Sequence, residues 1–276
     1  MKRFLTLTAA ILALAGLLLA QAAPAPKKQP APKTPEEYAA YQKFWNAQEP
    51  DEKIKFAEEF LQKYPDSELK TFAYRKEMEA YQQKNDFEHM RDFGERVLDA
   101  EPGDAISLIL LATAIPERTK DTDLDRDQKL STAEGYAKRA LEAIAKLEKP
   151  NPQITDQQWD SVRNDARSNA YAALGLVNLY RKNYPAAEEG FRKATELQQQ
   201  PDPILWFRLS LTLDSAKKYE DGLVAAEKSV SLGGVKTGGR DVPADERDRL
   251  KRIIEQRKPA GTPPAGAQTT PVKPPQ

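Results

Sequence analysis

The side chains able to do chemistry are unevenly supplied in this chain. Cysteine is absent and histidine occurs once, at His89, against 42 acidic and 42 basic side chains in 276 residues. Without Cys there is no disulfide, no thiolate metal site and no cysteine nucleophile. One imidazole cannot build a His–carboxylate constellation, and the sequence holds no glycine-rich phosphate loop and no G-x-S-x-G nucleophile elbow. His89 stands beside Met90 on a predicted helix, where an ordinary partly buried imidazole is expected. Acidic residues are plentiful enough on charged helices that carboxylate pairs arise by coincidence. The formal net charge is zero. It leaves no basic footprint for nucleic acid and no polybasic patch for a membrane.

One stretch carries a sharper pattern. Asp123, Asp125, Asp127 and Glu134 occupy positions 1, 3, 5 and 12 of a twelve-residue segment, with the aliphatic Leu130 at position 8. Spaced carboxylates closed by a bidentate Glu are the hard oxygen ligands that a calcium ion takes, and the segment is similar to an EF-hand loop. Position 6 is Gln128, where the sharp turn of such a loop asks for glycine at positive φ. The alternative is a solvated loop whose aspartates pair with Arg118, Lys120, Arg126 and Lys129. In that case Ser131 or Asp127 caps the helix bearing Glu134. Calcium is the one cofactor the residues suggest; otherwise none is expected.

The elements that must hold these residues come next. Lys2-Arg3, the uncharged apolar run Phe4–Ala20 and the small-x-small site Ala20-Gln21-Ala22 read together as a secretory signal peptide over residues 1–22. Its removal takes two positive charges and leaves 40 basic against 42 acidic side chains. No Cys follows the apolar run to accept a lipid. The expectation is an exported product, periplasmic or secreted, with no stable membrane insertion after cleavage. Residues 23–34 (APAPKKQPAPKT) read as a Pro/Lys-rich, polyproline-like linker, and residues 259–276 as a disordered Pro-rich tail.

Between these ends the chain is periodic. Tyr171, Leu174 and Gly175 precede Tyr184, Ala187, Phe191 and Ala194. Thirty-five residues later Trp206, Leu209 and Ser210 precede Tyr219, Gly222, Ala226 and Ser229. A small residue on one helix makes room for its neighbour to approach, so Gly175 and Ala187 are expected where two antiparallel helices touch. Phe191 and Ala194 lie on one face of the second helix and seal against the next unit. The pattern resembles the tetratricopeptide repeat, two antiparallel helices in about 34 residues. Weaker copies lie upstream: Tyr74, Tyr81, Phe87, Met90, Gly94, Val97 and Pro102 in one frame, and Tyr41, Phe44, Ala57, Phe60 and Tyr64-Pro65 in another. The latter's FLQKYPDS ending resembles repeat arrays of bacterial envelope proteins. A middle copy runs from Ala105, Leu108, Leu111, Ala112 and Ile115 to Ala133, Ala137 and Ala140.

The resemblance implies an all-α solenoid of about five helix-turn-helix units over residues 35–258. The units are 35–65, 66–102, 103–148 with an insertion at 116–130, 155–200 and 201–234. Thr155-Asp-Gln-Gln158 is a capping-box start for a long helix anchored by Trp159. Gly233-Gly234 and Gly238-Gly239 end the array, and residues 243–258 form a C-terminal capping helix through Leu250, Ile253 and Ile254.

A function follows from the same resemblance. Its concave groove, lined by each unit's first helix, maps onto Tyr38, Gln42, Trp45, Arg75, Glu79 and Gln82, then Leu176, Leu179, Phe207 and Leu211, with Ala172 among them. The family's basic clamp for C-terminal carboxylates is not reproduced, since Arg75 is followed by Glu79. The last two units offer an aliphatic and aromatic strip suited to a peptide or helix of another protein; alternatively these residues simply pack against neighbouring helices. The expectation is an exported, non-catalytic interaction scaffold. Two alternatives stand beside it: a calcium-binding repeat protein using residues 123–134, and an envelope glycan-binding or glycan-hydrolysing protein using Trp45, Trp159 and acids.

Overall fold

The computed structural model describes residues 30–257. The expected leader, most of the linker and the Pro-rich tail lie outside the described residues. Eleven helices follow one another: α1 (Pro35–Asn46), α2 (Pro50–Lys63), α3 (Lys70–Gln83), α4 (Phe87–Ala100), α5 (Ala105–Arg118), α6 (Arg126–Ala145), α7 (Asp156–Tyr180), α8 (Tyr184–Leu197), α9 (Pro203–Ser215), α10 (Tyr219–Ser231) and α11 (Val242–Arg257). Consecutive helices pack as five hairpins, and each hairpin packs on the next. The molecule is an all-α solenoid.

Local chemistry explains where the helices start. Thr34, Asp86, Asp104 and Asp202 each accept a backbone N–H of the first turn of the helix they precede, which satisfies donors that have no intrahelical partner. Thr155 and Gln158 form the full reciprocal capping box at the head of α7, with Trp159 buried one residue on. Three hairpins turn in the same way. Asn85, Lys182 and Lys217 sit at φ +57, +62 and +61 just after α3, α7 and α9. The next N–H in each case reaches back five residues: Asp86 to Tyr81, Asn183 to Asn178 and Lys218 to Leu213. This left-handed helix stop normally favours glycine. Lys182 and Lys217 hold it 35 residues apart, so the repeat is visible in the backbone as well as in the sequence.

The hairpins touch through their small residues. An added Cβ at Gly175 would lie 3.0 Å from the Phe191 ring, and one at Gly94 3.2 Å from the Leu111 methyls. The closest approach of one helix to another is at Gly190, whose Cβ would lie 2.7 Å from the Gly175 nitrogen and 2.8 Å from its Cα. Small polar residues in these seams are satisfied across them. Ser168 donates to the Ala194 carbonyl and Ser210 to the Gly222 carbonyl.

Helix α5 concentrates the core. Its residues Ala105 to Ala112, with Ile115 and Pro116, are buried. An apolar helix covered on every side belongs at the centre of a molecule, and α3, α4, α6 and α7 supply the cover. The helix also continues through Pro116 to Arg118, although the expected insertion began at Pro116. Proline in the last turn forfeits one backbone hydrogen bond without ending the helix, and Thr119 closes it by donating its hydroxyl to the Ile115 carbonyl. The connection is therefore residues 119–125, shorter than expected.

At the far end, α11 covers α10. Leu250 is fully buried and Ile253 and Ile254 half-buried, while Arg249 pairs with Asp214 of α9 and Lys251 with Glu227 of α10. Between them lies a small feature that the helical reading omits. Lys236–Thr237 and Arg240–Asp241 pair antiparallel around Gly238 and Gly239. Both glycines have positive φ, +57 and +82, as the tightest hairpin turns require.

Candidate functional site

The Asp-rich segment is split between a loop and a helix: Asp123 and Asp125 lie in the connection 119–125. Helix α6 begins at Arg126, so Asp127, Gln128 and Glu134 are helical. Among the described residues no three His, Cys, Asp or Glu side chains come together as a metal-binding group. Each carboxylate has a cationic neighbour instead. Asp123 and Asp125 share Lys129 at 2.9 Å each, and Asp127 lies 3.5 Å from Arg126. Glu134 pairs with Lys138 and with Arg181 of the next unit. These hydrogen bonds to lysine and arginine hold the Asp123 and Glu134 carboxyls below their usual range. The segment staples unit three to unit four: Lys182 reaches Asp121 at 3.3 Å, Arg181 donates to the Ser131 hydroxyl, and Arg126 donates to the carbonyl of Tyr180 at the α7 terminus.

His89 is exposed rather than partly buried. Its ring stacks on Tyr81 with centroids 4.7 Å apart, and its Nδ1 lies 2.8 Å from Asp86. The hydrogen bond to this imidazole lowers the Asp86 carboxyl. Asp86 also caps α4, which gives the pair a structural role.

The expected groove residues separate into two groups. In the N-terminal half, Tyr38 stacks on Tyr41, and Tyr41 stacks on Trp45 with centroids 5.6 Å apart. The ammonium of Lys76 lies 4.6 Å over the Trp45 ring and pairs with Glu79 at 3.1 Å. Glu79 in turn takes Lys53 of α2 at 2.8 Å. Gln42 is exposed beside this chain of contacts, and Gln82 is half-buried. Arg75 turns away from it, over Phe72 and onto Glu101 and Asp104 in the next connection. The charged positions here are occupied by one another.

In the C-terminal half the assignment is corrected by one turn. Leu176 is buried with Ala187, Phe191, Leu205 and Leu209, and Ala172 is buried in the same cluster. They are core, because α8 and α9 together close over this stretch of α7. Leu179, Phe207 and Leu211 remain half-buried. Phe207 and Leu211 share the outer face of α9 with Arg208, while Leu205, Leu209 and Leu213 face inward.

Arg208 was not singled out by spacing or composition, yet it makes the longest link in the array. It pairs with Glu117 at the end of α5, 91 residues away. The contact spans from unit five to unit three, so the first helices of the last three units converge on one side. A local sequence pattern gives no signal for such a pair.

No family model matches the chain, and no curated protein matches it. The chain is similar to a solved structure, a thermophilic TPR protein of Thermus thermophilus. The two are 14% identical over 79% of this chain and 96% of that one, with a TM-score of 0.44.

Proposed function

We propose that this chain is a non-catalytic protein-interaction scaffold that takes a peptide or an amphipathic helix of another protein on the face formed by its last first-helices. The observation that carries the reading is the division within α9. Leu205, Leu209 and Leu213 are spent on the core, whereas Phe207 and Leu211, four residues apart, keep apolar surface accessible. Anchors at that spacing on a rigid helix suit a helix or extended segment. The stacked hairpins hold them in place before binding, so little ordering cost falls on the scaffold. The N-terminal Lys2-Arg3, apolar run and Ala20-Gln21-Ala22 support action in an exported compartment, periplasmic or extracellular.

A photo-crosslinking residue placed at Phe207, and separately at Leu211, in cells expressing the full chain tests the face. Both positions should capture the same protein, identified by mass spectrometry. Capture of nothing beyond background at both would overturn the reading. N-terminal sequencing of the purified product, expected to begin at Ala23, tests export independently.

A further inference from the structure

A cleft of about 570 Å³, lined by neither Phe207 nor Leu211, opens at the connection between units four and five. One wall is a polar stripe on the extended α7, Ser161, Asp165 and Asn169, spaced four residues apart and so on one face. The opposite wall is the connection Gln198–Asp202, and Ile204, Leu232 and Val235 close the side. Asn169 is the telling residue. It is 8% exposed and lines the cleft, and its amide has no hydrogen-bond partner among the described residues. The residue is more than nine-tenths buried and its amide reaches the open cleft without a protein partner, so a ligand group entering the cleft can meet it.

We propose that this cleft binds a lysine or arginine side chain of an extended protein segment. Two carboxylates face it, and neither has a salt-bridge partner among the described residues. Asp165 spends one oxygen on the Gln199 N–H at 3.4 Å, and Asp202 spends one on the Ile204 N–H at 2.8 Å. Arg208 lies within electrostatic range of Asp202 but is engaged by Glu117. Burial holds both carboxyls above their ordinary range, with Arg208 partly opposing the shift at Asp202. The aliphatic wall fits the other half of such a ligand: a methylene stem lies on Ile204, Leu232 and Val235 while its charged head reaches the carboxylates. The Asn169 amide remains for the peptide backbone beside that residue. No aromatic ring lines the cleft, which disfavours a sugar, and two acids disfavour an anion.

The site is independent of the Phe207–Leu211 face, and its test is separate. Acetylated, amidated tripeptides Ala-Lys-Ala, Ala-Arg-Ala, Ala-norleucine-Ala and Ala-Glu-Ala are titrated into the chain lacking residues 1–22, with amide resonances as the readout. The basic peptides should shift resonances at Asp165, Asn169 and the 198–202 connection, and should bind at least tenfold more tightly than the norleucine peptide. Asp165→Asn and Asn169→Ala should each weaken that binding about tenfold, with melting temperature unchanged. Phe207→Ala should leave it intact. Silence of both basic peptides, equal binding of the glutamate or norleucine peptide, indifference to both cleft variants, or stronger response to N-acetylglucosamine than to the basic peptides would each overturn the proposal. Failure of the crosslinks at Phe207 and Leu211 would not touch it.

Discussion

Glu77 on α3 is fully buried, and neither of its carboxyl oxygens has a hydrogen-bond partner among the described residues. Burial pushes its pKa up to about 8, the negative charge of Glu58 on α2 adds to the shift, and Arg96 on α4 opposes it. The native state therefore keeps a proton that the unfolded chain loses near the ordinary glutamate value. Between those two values folding retains the extra proton, so stability declines as pH rises and the decline ends above about 8. The lost stability is on the order of a few kcal/mol. Thermal melting at pH 5 and pH 9 checks this. The wild type should lose several degrees more than Glu77→Gln, whose amide does not ionise. Equal pH slopes would show that Glu77 is ionised in the native state. Nothing in the sequence distinguishes this glutamate from the other acids on charged helices. Its burial depends on α2 and α4 both closing over α3, which is a property of the packing.

At the scale of helices, the hairpin seam between α7 and α8 makes a graded test of close packing. A methyl at Gly190 would meet the backbone of Gly175, which cannot rotate aside, whereas a methyl at Gly175 would meet the ring of Phe191. At Gly222 the nearest atoms lie at 3.5 Å, an ordinary contact. Alanine relieves the helical cost of glycine by up to about 1 kcal/mol. Gly222→Ala should thus be neutral or stabilising. Gly175→Ala should cost about 1–3 kcal/mol through overpacking, and Gly190→Ala more than Gly175→Ala. Urea unfolding of the three variants gives the order, and a Gly190→Ala as stable as the wild type would contradict the seam. The small residue at 175 was legible in sequence because its counterpart 35 residues later, Ser210, is small too, whereas the Phe191 position is taken by Ala226 in the next unit. Gly190 has a small buried counterpart too, Ala225, but a small residue in the frame does not tell which backbone lies against it. The same limit produced the Leu176 error. Helical periodicity locates an apolar face, but the width of the buried arc is set by how α9 crosses α7. The helices rest on local spacing and were readable, as was the Thr155–Gln158 capping box; the expected Asp127 or Ser131 cap does not form, because α6 begins at Arg126 after Asp125 with no side-chain cap.

Across the whole array, stability in a solenoid is normally a sum over each unit and its immediate neighbours. The Arg208–Glu117 pair departs from that rule by joining units five and three over the top of unit four. Arg208 is 15% exposed at its side chain, and its Nη1 is buried without a hydrogen-bond partner among the described residues. Its charge therefore depends on Glu117 more than Glu117, 35% exposed, depends on it. Removing Glu117 leaves a largely buried guanidinium without its ion-pair partner, whereas removing Arg208 leaves a carboxylate that water can reach. Glu117→Gln should cost about 1–2 kcal/mol and Arg208→Met less than about 1 kcal/mol. The double variant should resemble Arg208→Met, because the stranded charge is gone. The consequence for cooperativity is distinct from the cost. In the wild type, amides of α5, α7 and α9 should open together in native-state hydrogen exchange. In Arg208→Met, α9 to α11 should lose protection while α5 keeps its own. If α9 opens independently of α5 in the wild type as well, the pair carries no coupling between units three and five and the array obeys the neighbour rule throughout.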